Sequence, residues 1–224
     1  MQSNPASVKW FIVRNPAAGR GKVKRMWPKI RRLLQKYQIA FSAVTTRYTG
    51  HGIELAEQAV EKGHRHLLAI GGDGTLNEVA NGILQQQAVP STEVTLGLIS
   101  IGTGNDWART HQLSSRLEKR IQAIQKMSTV VQDAGWVQYT RRNRTNKRFF
   151  VNAAGMAYDA YVVKQARTQK RRNTVSYLTQ ALRGLYDFQP VQADIFFNEQ
   201  QLNDRYYLIN AGIGRYAGGG MRLV

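Results

Sequence analysis

The 224-residue chain has no cysteine, only 5 prolines, and only 14 acidic residues against 32 Lys and Arg. Without cysteine it can have no disulfide scaffold, no thiolate metal site and no cysteine nucleophile, which suits a reducing compartment. It also lacks any apolar run near the roughly 18–20 residues that a membrane helix needs; Leu67-Leu68-Ala69-Ile70 is short. The opening Met1-Gln2-Ser3-Asn4-Pro5 has no charged region leading into an apolar stretch, so no secretory leader is expected. These absences point to a cytoplasmic globular protein. With 42% hydrophobic residues, a chain of this length can bury a core without covalent staples.

The shortage of acid leaves a formal net charge of +18. Such an excess attracts polyanions: nucleic acid, an anionic membrane face, or phosphorylated small molecules. The charge is not confined to a tail. Residues 1–110 hold 14 basic and 7 acidic side chains, and residues 111–224 hold 18 and 7. Three clusters stand out: Arg20, Lys22, Lys24, Arg25, Lys29, Arg31, Arg32 and Lys36; then Arg141, Arg142, Arg144, Lys147 and Arg148; then Lys164, Arg167, Lys170, Arg171 and Arg172. Any one of them could be a solvated face. Three with almost no interleaved acid favour an anionic partner.

Apolar periodicity predicts strands over Val8–Arg14, Ala40–Thr46, His66–Ile70 and Val94–Ile99. It predicts helices after each: Val23 to Tyr37, with Pro28 in an early turn or at a kink; Ile53–Lys62, ended by Gly63; Thr75–Leu84; and Ser115–Met127. Thr75 and Glu78 have capping-box spacing. Strands alternating with helices predict an α/β fold, an N-terminal, mostly parallel sheet wrapped by helices. After residue 128 the pattern changes to strands over Thr129–Tyr139, Arg148–Asn152, Ala193–Phe197 and Tyr206–Asn210, with one or two helices within Asp159–Leu185. The expected division is therefore an α/β domain over 1–127 and a second, strand-rich domain over 128–224.

Three glycine-rich loops follow three of the predicted strands: Asn15-Pro16-Ala17-Ala18-Gly19, Gly71-Gly72-Asp73-Gly74, and Gly102-Thr103-Gly104-Asn105-Asp106. In an open α/β sheet such loops converge on one crevice at the carboxyl ends of the strands. Glycine lets the backbone approach a phosphate, and the helix start behind each loop offers N–H groups to an anion. A carboxylate such as Asp73 beside polyphosphate would be repelled without a cation, which implies magnesium. His64 and His66 are two apart but have no third ligand, so they read as surface histidines. Trp10, Trp27 and Trp136 read as packing residues, and Trp107 adjoins the third loop, where it could touch a bound ligand. Tyr139 with the basic run 141–148 reads as a hairpin turn facing a membrane rather than a nucleic-acid site.

The run Gly71-Gly72-Asp73-Gly74-Thr75-Leu76-Asn77-Glu78 resembles the nucleotide-binding signature of the diacylglycerol kinase catalytic family, which includes bacterial lipid kinases and the sphingosine and ceramide kinases. NAD kinases and phosphofructokinases carry a related run. The first and third loops, with Ala108-Arg109, match the diacylglycerol kinase family in order and spacing, and Asn152-Ala153-Ala154-Gly155 and Gly218-Gly219-Gly220-Met221 extend the likeness. The resemblance implies an NAD-kinase/phosphofructokinase-like first domain and transfer of the γ-phosphate of ATP to a lipid hydroxyl, by default that of diacylglycerol. It implies that Asn15, Pro16, Ala17, Ala18, Gly19, Thr46, Gly71, Gly72, Asp73, Gly74, Thr75, Leu76, Asn77 and Thr103 line the ATP site. It makes Asp73 the essential catalytic carboxylate with Mg2+, has Arg20 and Lys22 neutralise phosphate charge, and has Asp133 anchor a structural magnesium through water. The lipid would lie against the second domain, with the protein on the inner face of the membrane as a peripheral enzyme. A homodimer is a fair expectation for a soluble protein.

Family members are longer, continuing into an acidic metal-binding loop and a later carboxylate that acts as general base. Asp73, Asp106 and Asp159 are nearby carboxylates, but none fits that role by motif. The second domain is therefore expected to be incomplete and the chain as it stands inactive or nearly so. Two other readings fit part of the sequence: an NAD-kinase-like enzyme for a soluble acceptor, disfavoured by the first and third loops, and a non-catalytic basic nucleic-acid-binding protein, supported by charge alone.

Overall fold

The computed structural model describes residues 8–158, 160–161 and 188–223. The third basic cluster and most of the helical stretch expected within Asp159–Leu185 lie outside the described residues.

Strands β1 (Lys9–Arg14), β2 (Ala40–Thr45), β3 (His66–Gly71) and β4 (Thr95–Ser100) form one parallel sheet in the order β2-β1-β3-β4. All four fall where the apolar runs predicted them. Alternate side chains of β3 leave on opposite faces, which gives two cores. Leu68 and Ile70 join Ile12, Ile30, Leu34 and Ile121 under helices α1 (Ala18–Lys36) and α5 (Leu117–Gln125). Leu67 and Ala69 join Val13, Val60, Leu76 and Val79 under α2 (His51–Glu61) and α3 (Asp73–Gln85). A sheet buried on both faces by helical crossovers is the doubly wound arrangement expected from the alternating pattern. The chain steps from β1 outward to β2, then returns to place β3 on the other side of β1. The carboxyl ends of β1 and β3 therefore flank the topological switch point, where such sheets bind ligands.

Gly63 has φ +93° just past α2, as a terminating glycine should. The capping box is overturned: α3 starts at Asp73 with no side-chain cap. Glu78 instead reaches another helix, where its Oε1 accepts from Gly50 N at 2.8 Å and its Oε2 from Gly52 N at 3.0 Å. Its carboxylate thus satisfies donors at the start of α2. Pro28 falls in the second turn of the regular part of α1, an early-turn position as expected. Helical backbone there begins only after Gly19, Arg20 and Gly21, which have φ of 58°, 57° and 77°.

The compact units do not follow the division at residue 128. The described residues up to Asn152, together with those from Ile213 on, form one unit; Ala153–Gly212 forms the other. The hairpin of β5 (Gly135–Arg141) and β6 (Arg144–Phe150) belongs to the first because buried Asn81 of α3 acts as a strand edge for it. Asn81 Nδ2 donates to Phe149 O and Asn81 Oδ1 accepts from Phe149 N, both at 2.9 Å. Trp136, expected to pack, is 54% exposed on this hairpin beneath Lys147 Nζ, 4.6 Å from the ring centroid. His64 and His66 are not surface histidines either. His64 packs on Phe11 and His66 on Trp10, and burial lowers both imidazole pKa values.

The second unit pairs β7 (Ala153–Ala157) antiparallel with β10 (Leu208–Gly212), and β8 (Val191–Phe197) with β9 (Gln200–Tyr206). Tyr158, Tyr161, Phe188 and Tyr207 gather with ring centroids 4.9 to 6.2 Å apart.

Candidate active site

The three glycine-rich loops meet at the carboxyl edge of the parallel sheet, and their own backbone explains why. Asn15 N donates to Ile70 O at 3.0 Å, fastening the first loop to the end of β3. The Asn15 side chain closes its own turn by accepting from Ala17 N at 3.1 Å, and its Nδ2 donates to Thr75 Oγ1 at 3.2 Å. Gly19 comes so close to the third loop that a Cβ there would sit 2.3 Å from Ile101 O. Gly72 and Gly102 meet backbone to backbone, since a Cβ on Gly102 would lie 2.7 Å from Gly72 Cα. Ile101 N donates to Gly71 O at 2.6 Å. Glycine is required here by mutual contact of the loops as well as by any approach of a phosphate.

The third loop closes on itself through Asn105, in the left-handed region at φ 55°, whose side chain bonds both the N–H and the carbonyl of Gly102 at 2.9 Å. This turn starts α4 (Asp106–Thr110) and sets two carboxylates around Gly104. A Cβ on Gly104 would be 3.2 Å from Asp73 Oδ2 and 3.4 Å from Asp106 Oδ2. Asp73 Oδ1 accepts from Trp107 N at 3.2 Å. Asp106 is 6% exposed; its Oδ2 accepts from Gly219 N at 2.8 Å, while its buried Oδ1 has no hydrogen-bond partner. A buried carboxylate oxygen left unpaired is costly, because nothing replaces its lost hydration. The two Oδ2 atoms that face Gly104 are hard oxygen donors from separate loops, the kind that a divalent cation of the magnesium class takes.

The predicted residues divide accordingly. Asn15, Gly19, Gly71, Gly72, Asp73, Gly74 and Thr75 come together, with Pro16, Ala17 and Ala18 on the same first loop and Thr103 exposed on the third. Thr46 is buried beside the first loop, its N–H donating to Arg14 O at 3.0 Å. Asn77 lies one turn into α3, its carbonyl accepting from Asn81 Nδ2. Leu76 goes to the core, 1% exposed, with its N–H bonded to Gly72 O. Arg20 and Lys22 are exposed at the left-handed turn after the first loop. Asp133 is exposed, and no group of three or more potential metal-ligating side chains occurs among the described residues.

Several supports went unseen in the sequence. Arg120, half buried, donates to Ser100 O where β4 enters the third loop, and burial lowers its pKa. Gln132 Oε1 takes Trp107 Nε1 at 2.8 Å and lies 2.6 Å from His111 Nε2, while its Nε2 donates to Val151 O. Trp107 is therefore occupied in holding α4. Arg109 Nε donates to Gly104 O at 3.2 Å, placing a guanidinium beside the carboxylates. Long-range bonds of this kind have no local spacing signal.

Residues 9–137 match the diacylglycerol kinase catalytic domain. The chain belongs to that family. It is 32% identical over 143 residues to a diacylglycerol kinase of Staphylococcus carnosus and 37% identical over 143 residues to one of Staphylococcus epidermidis. Each alignment covers 64% of this chain, and 43% and 42% of the respective relatives. The chain thus matches less than half the length of these relatives. Its fold is that of a solved diacylglycerol kinase from Bacillus anthracis str. Sterne, with TM-score 0.65 and 23% identity, over 96% of this chain and 67% of that one. Among the described residues no helix is long and apolar enough to cross a membrane.

Proposed function

We propose that this chain binds Mg-ATP at the three-loop site and serves transfer of the γ-phosphate to a lipid hydroxyl, diacylglycerol being the expected acceptor. The observation that carries the reading is the convergence of Asp73 and Asp106, from different loops, around Gly104. In the transfer the acceptor oxygen bonds to the γ-phosphorus as the bond to the β–γ bridging oxygen breaks, ADP departs, and the hydroxyl proton passes to a base. Backbone N–H groups at the opening of α3, which lack intrahelical partners, would receive phosphate oxygens. The glycines of the first two loops would let the phosphates lie against the backbone, and Arg20, Lys22 and Arg109 would offset their charge. Asp73 and Asp106 would hold magnesium, which supplies charge neutralisation and in-line orientation when bound. The basic hairpin at 141–148 and the cluster at 164–172 would favour the anionic inner face of the membrane.

Titration calorimetry of the chain with ATP, with and without Mg2+, tests this directly. Binding that needs Mg2+ and is lost in Asp73→Ala supports the reading, and Mg-independent or absent binding overturns it. Because the chain matches less than half of its relatives' length, weak nucleotide binding and little or no lipid phosphorylation are expected of it as it stands. Robust turnover of diacylglycerol by the 224-residue protein would refute that last expectation.

A further inference from the structure

Helix α4 is five residues long and has no side-chain cap at its start. That is far below the roughly 12–15 residues at which an isolated helix becomes even marginal in water, so its placement must come from outside. The placement matters to the site twice over. Asp106 is the first residue of α4, and the backbone N–H of Trp107, its second, donates to Asp73 Oδ1 at 3.2 Å. Both carboxylates that face Gly104 are thus referred to one short helix.

Gln132 holds the other side of α4, from a stretch, 128–134, that is neither helix nor strand. Trp107 and His111 are four apart, so their side chains leave the same face, with ring centroids 4.1 Å apart. Gln132 Oε1 meets both, 2.8 Å from Trp107 Nε1 and 2.6 Å from His111 Nε2. Its Nε2 donates to Val151 O at 2.6 Å and to Asp133 O at 3.3 Å. The amide can face only one way, because an indole N–H only donates and a carbonyl only accepts. Oε1 therefore faces His111, and the neutral imidazole must carry its proton on Nε2 to bond it. Val151 closes the circuit. It follows β6, whose Phe149 is paired with Asn81 of α3, and α3 begins at Asp73. The network stands at the rim of an apolar cluster, where Trp107, Leu113 and Val151 pack. Apolar side chains at 111 and 132 would fill such a rim without desolvating an imidazole and an amide; what the polar set adds is a single orientation.

We infer that Gln132, with His111, is a positioning residue for the Asp73–Asp106 carboxylate pair, setting through α4 the geometry in which the two carboxylates meet a cation. The inference rests on the Mg-ATP reading of the three-loop site. Gln132 acts through Trp107 and not on the nucleotide: it fixes the indole, the indole fixes the turn, and the turn aims one N–H at Asp73 and carries Asp106. Groups that orient metal-binding carboxylates in this way contribute to metal affinity without touching the metal.

The test compares Gln132→Leu with Gln86→Leu. The first removes the side-chain bonds that join residue 132 to α4. The second deletes a buried amide at the far end of α3, bonded to Ile83 O, Val89 O and the N–H groups of Ala88 and Val89, so it strains the fold without touching α4. In calorimetry with ATP, the Mg2+ concentration for half-maximal binding should rise about tenfold or more in Gln132→Leu and stay within about threefold of the parent in Gln86→Leu. Two further readouts need no nucleotide. Hydrogen exchange at the Trp107 backbone N–H, which opens locally in so short a helix, should be about tenfold faster in Gln132→Leu and little changed in Gln86→Leu. Two-bond proton–nitrogen NMR spectra of the parent should place the proton of neutral His111 on Nε2. An unchanged Mg2+ midpoint in Gln132→Leu, an equal shift in Gln86→Leu, unchanged Trp107 exchange, or a proton on His111 Nδ1 would each overturn the proposal. If the parent itself binds no Mg-ATP, the reading of the site fails, and exchange and tautomer still decide whether Gln132 sets Trp107 against Asp73.

Discussion

Replacing Gly19 by Ala is the sharpest available perturbation of the site, because two separate costs fall on one methyl group. Gly19 sits at φ 58°, where an L-residue costs about 1–2 kcal/mol. Its added Cβ would also be 2.3 Å from Ile101 O, a backbone atom that flexible side-chain motion cannot relieve. Ordinary contact needs roughly 1 Å more. The third loop is poorly placed to yield, since Ile101 N is bonded to Gly71 O and Ser100 O to Arg120. The first loop must therefore move away from the third by about 1 Å. Misplacement on that scale costs a catalytic site on the order of 100-fold in rate, and a loop that receives phosphate oxygens should lose affinity when displaced as far. Gly63→Ala is the control: it has φ +93° but nothing within 4 Å of its added Cβ, so it pays the backbone cost alone. Both variants should lower unfolding stability in urea, Gly63→Ala by about 1–2 kcal/mol. Only Gly19→Ala should lose Mg-ATP affinity in calorimetry. If Gly19→Ala bound nucleotide within about threefold of the parent, the claim that contact between the loops sets the site's geometry would fail.

Asp106→Asn keeps an acceptor for Gly219 N but removes the negative charge behind the unpaired Oδ1. The Mg2+ dependence of ATP binding should weaken by about tenfold or more while the melting temperature holds or rises, and an unchanged Mg2+ titration would remove Asp106 from the cation site. Asn81→Ala deletes both bonds to Phe149 and leaves its backbone groups short of partners; urea unfolding should show a loss of about 2–3 kcal/mol, and a loss under about 1 kcal/mol would mean that the hairpin is held by other contacts. Burial lowers the pKa of His64 and His66, so the unfolded chain binds more protons than the folded one below the unfolded value of about 6.5. Stability should therefore fall as pH drops from about 6.5 toward the folded-state values, above the range where carboxylates titrate, and a His64→Gln/His66→Gln variant should flatten that slope in thermal melts.

The α/β half was legible in the sequence because its information is local. Each strand of the parallel sheet is a short apolar run, each helix has a 3.6-residue stripe, and the glycine loops stand between them. Features set by distant partners were not. Glu78 has the spacing of a capping residue, yet its carboxylate is taken by Gly50 and Gly52, 28 and 26 positions away. The Asn81–Phe149 pairing, 68 positions apart, is what carries the first unit past the change of pattern near residue 128. Strand β9 escaped detection because Gln200–Tyr206 is exposed along nearly its whole length, so no face had to be apolar. Within the candidate site, Asp73 stands out by its motif. Asp106 was visible as a nearby carboxylate, but its burial against Gly219 depends on a turn more than 100 positions away.

The charge follows from the same distinction between what the fold needs and what it leaves over. Cations that served mainly to hold the described residues together would be paired with acids, yet one ion pair is present among those residues, exposed on both sides. Exposed pairs of that kind contribute little. Where cations do serve structure, they work through carbonyl oxygens or rings: Arg120 on Ser100, Ser114 and Ser115, Arg65 on Val60, Arg14 over Trp27. The exposed face of α1 has no such duties, and helix formation does not require it to be basic, since Gln or Ala would serve as well. Concentrating like charges along one helix costs self-repulsion that only an external anion can relieve. The exposed cations of α1 are thus a feature that folding alone gives no reason to keep.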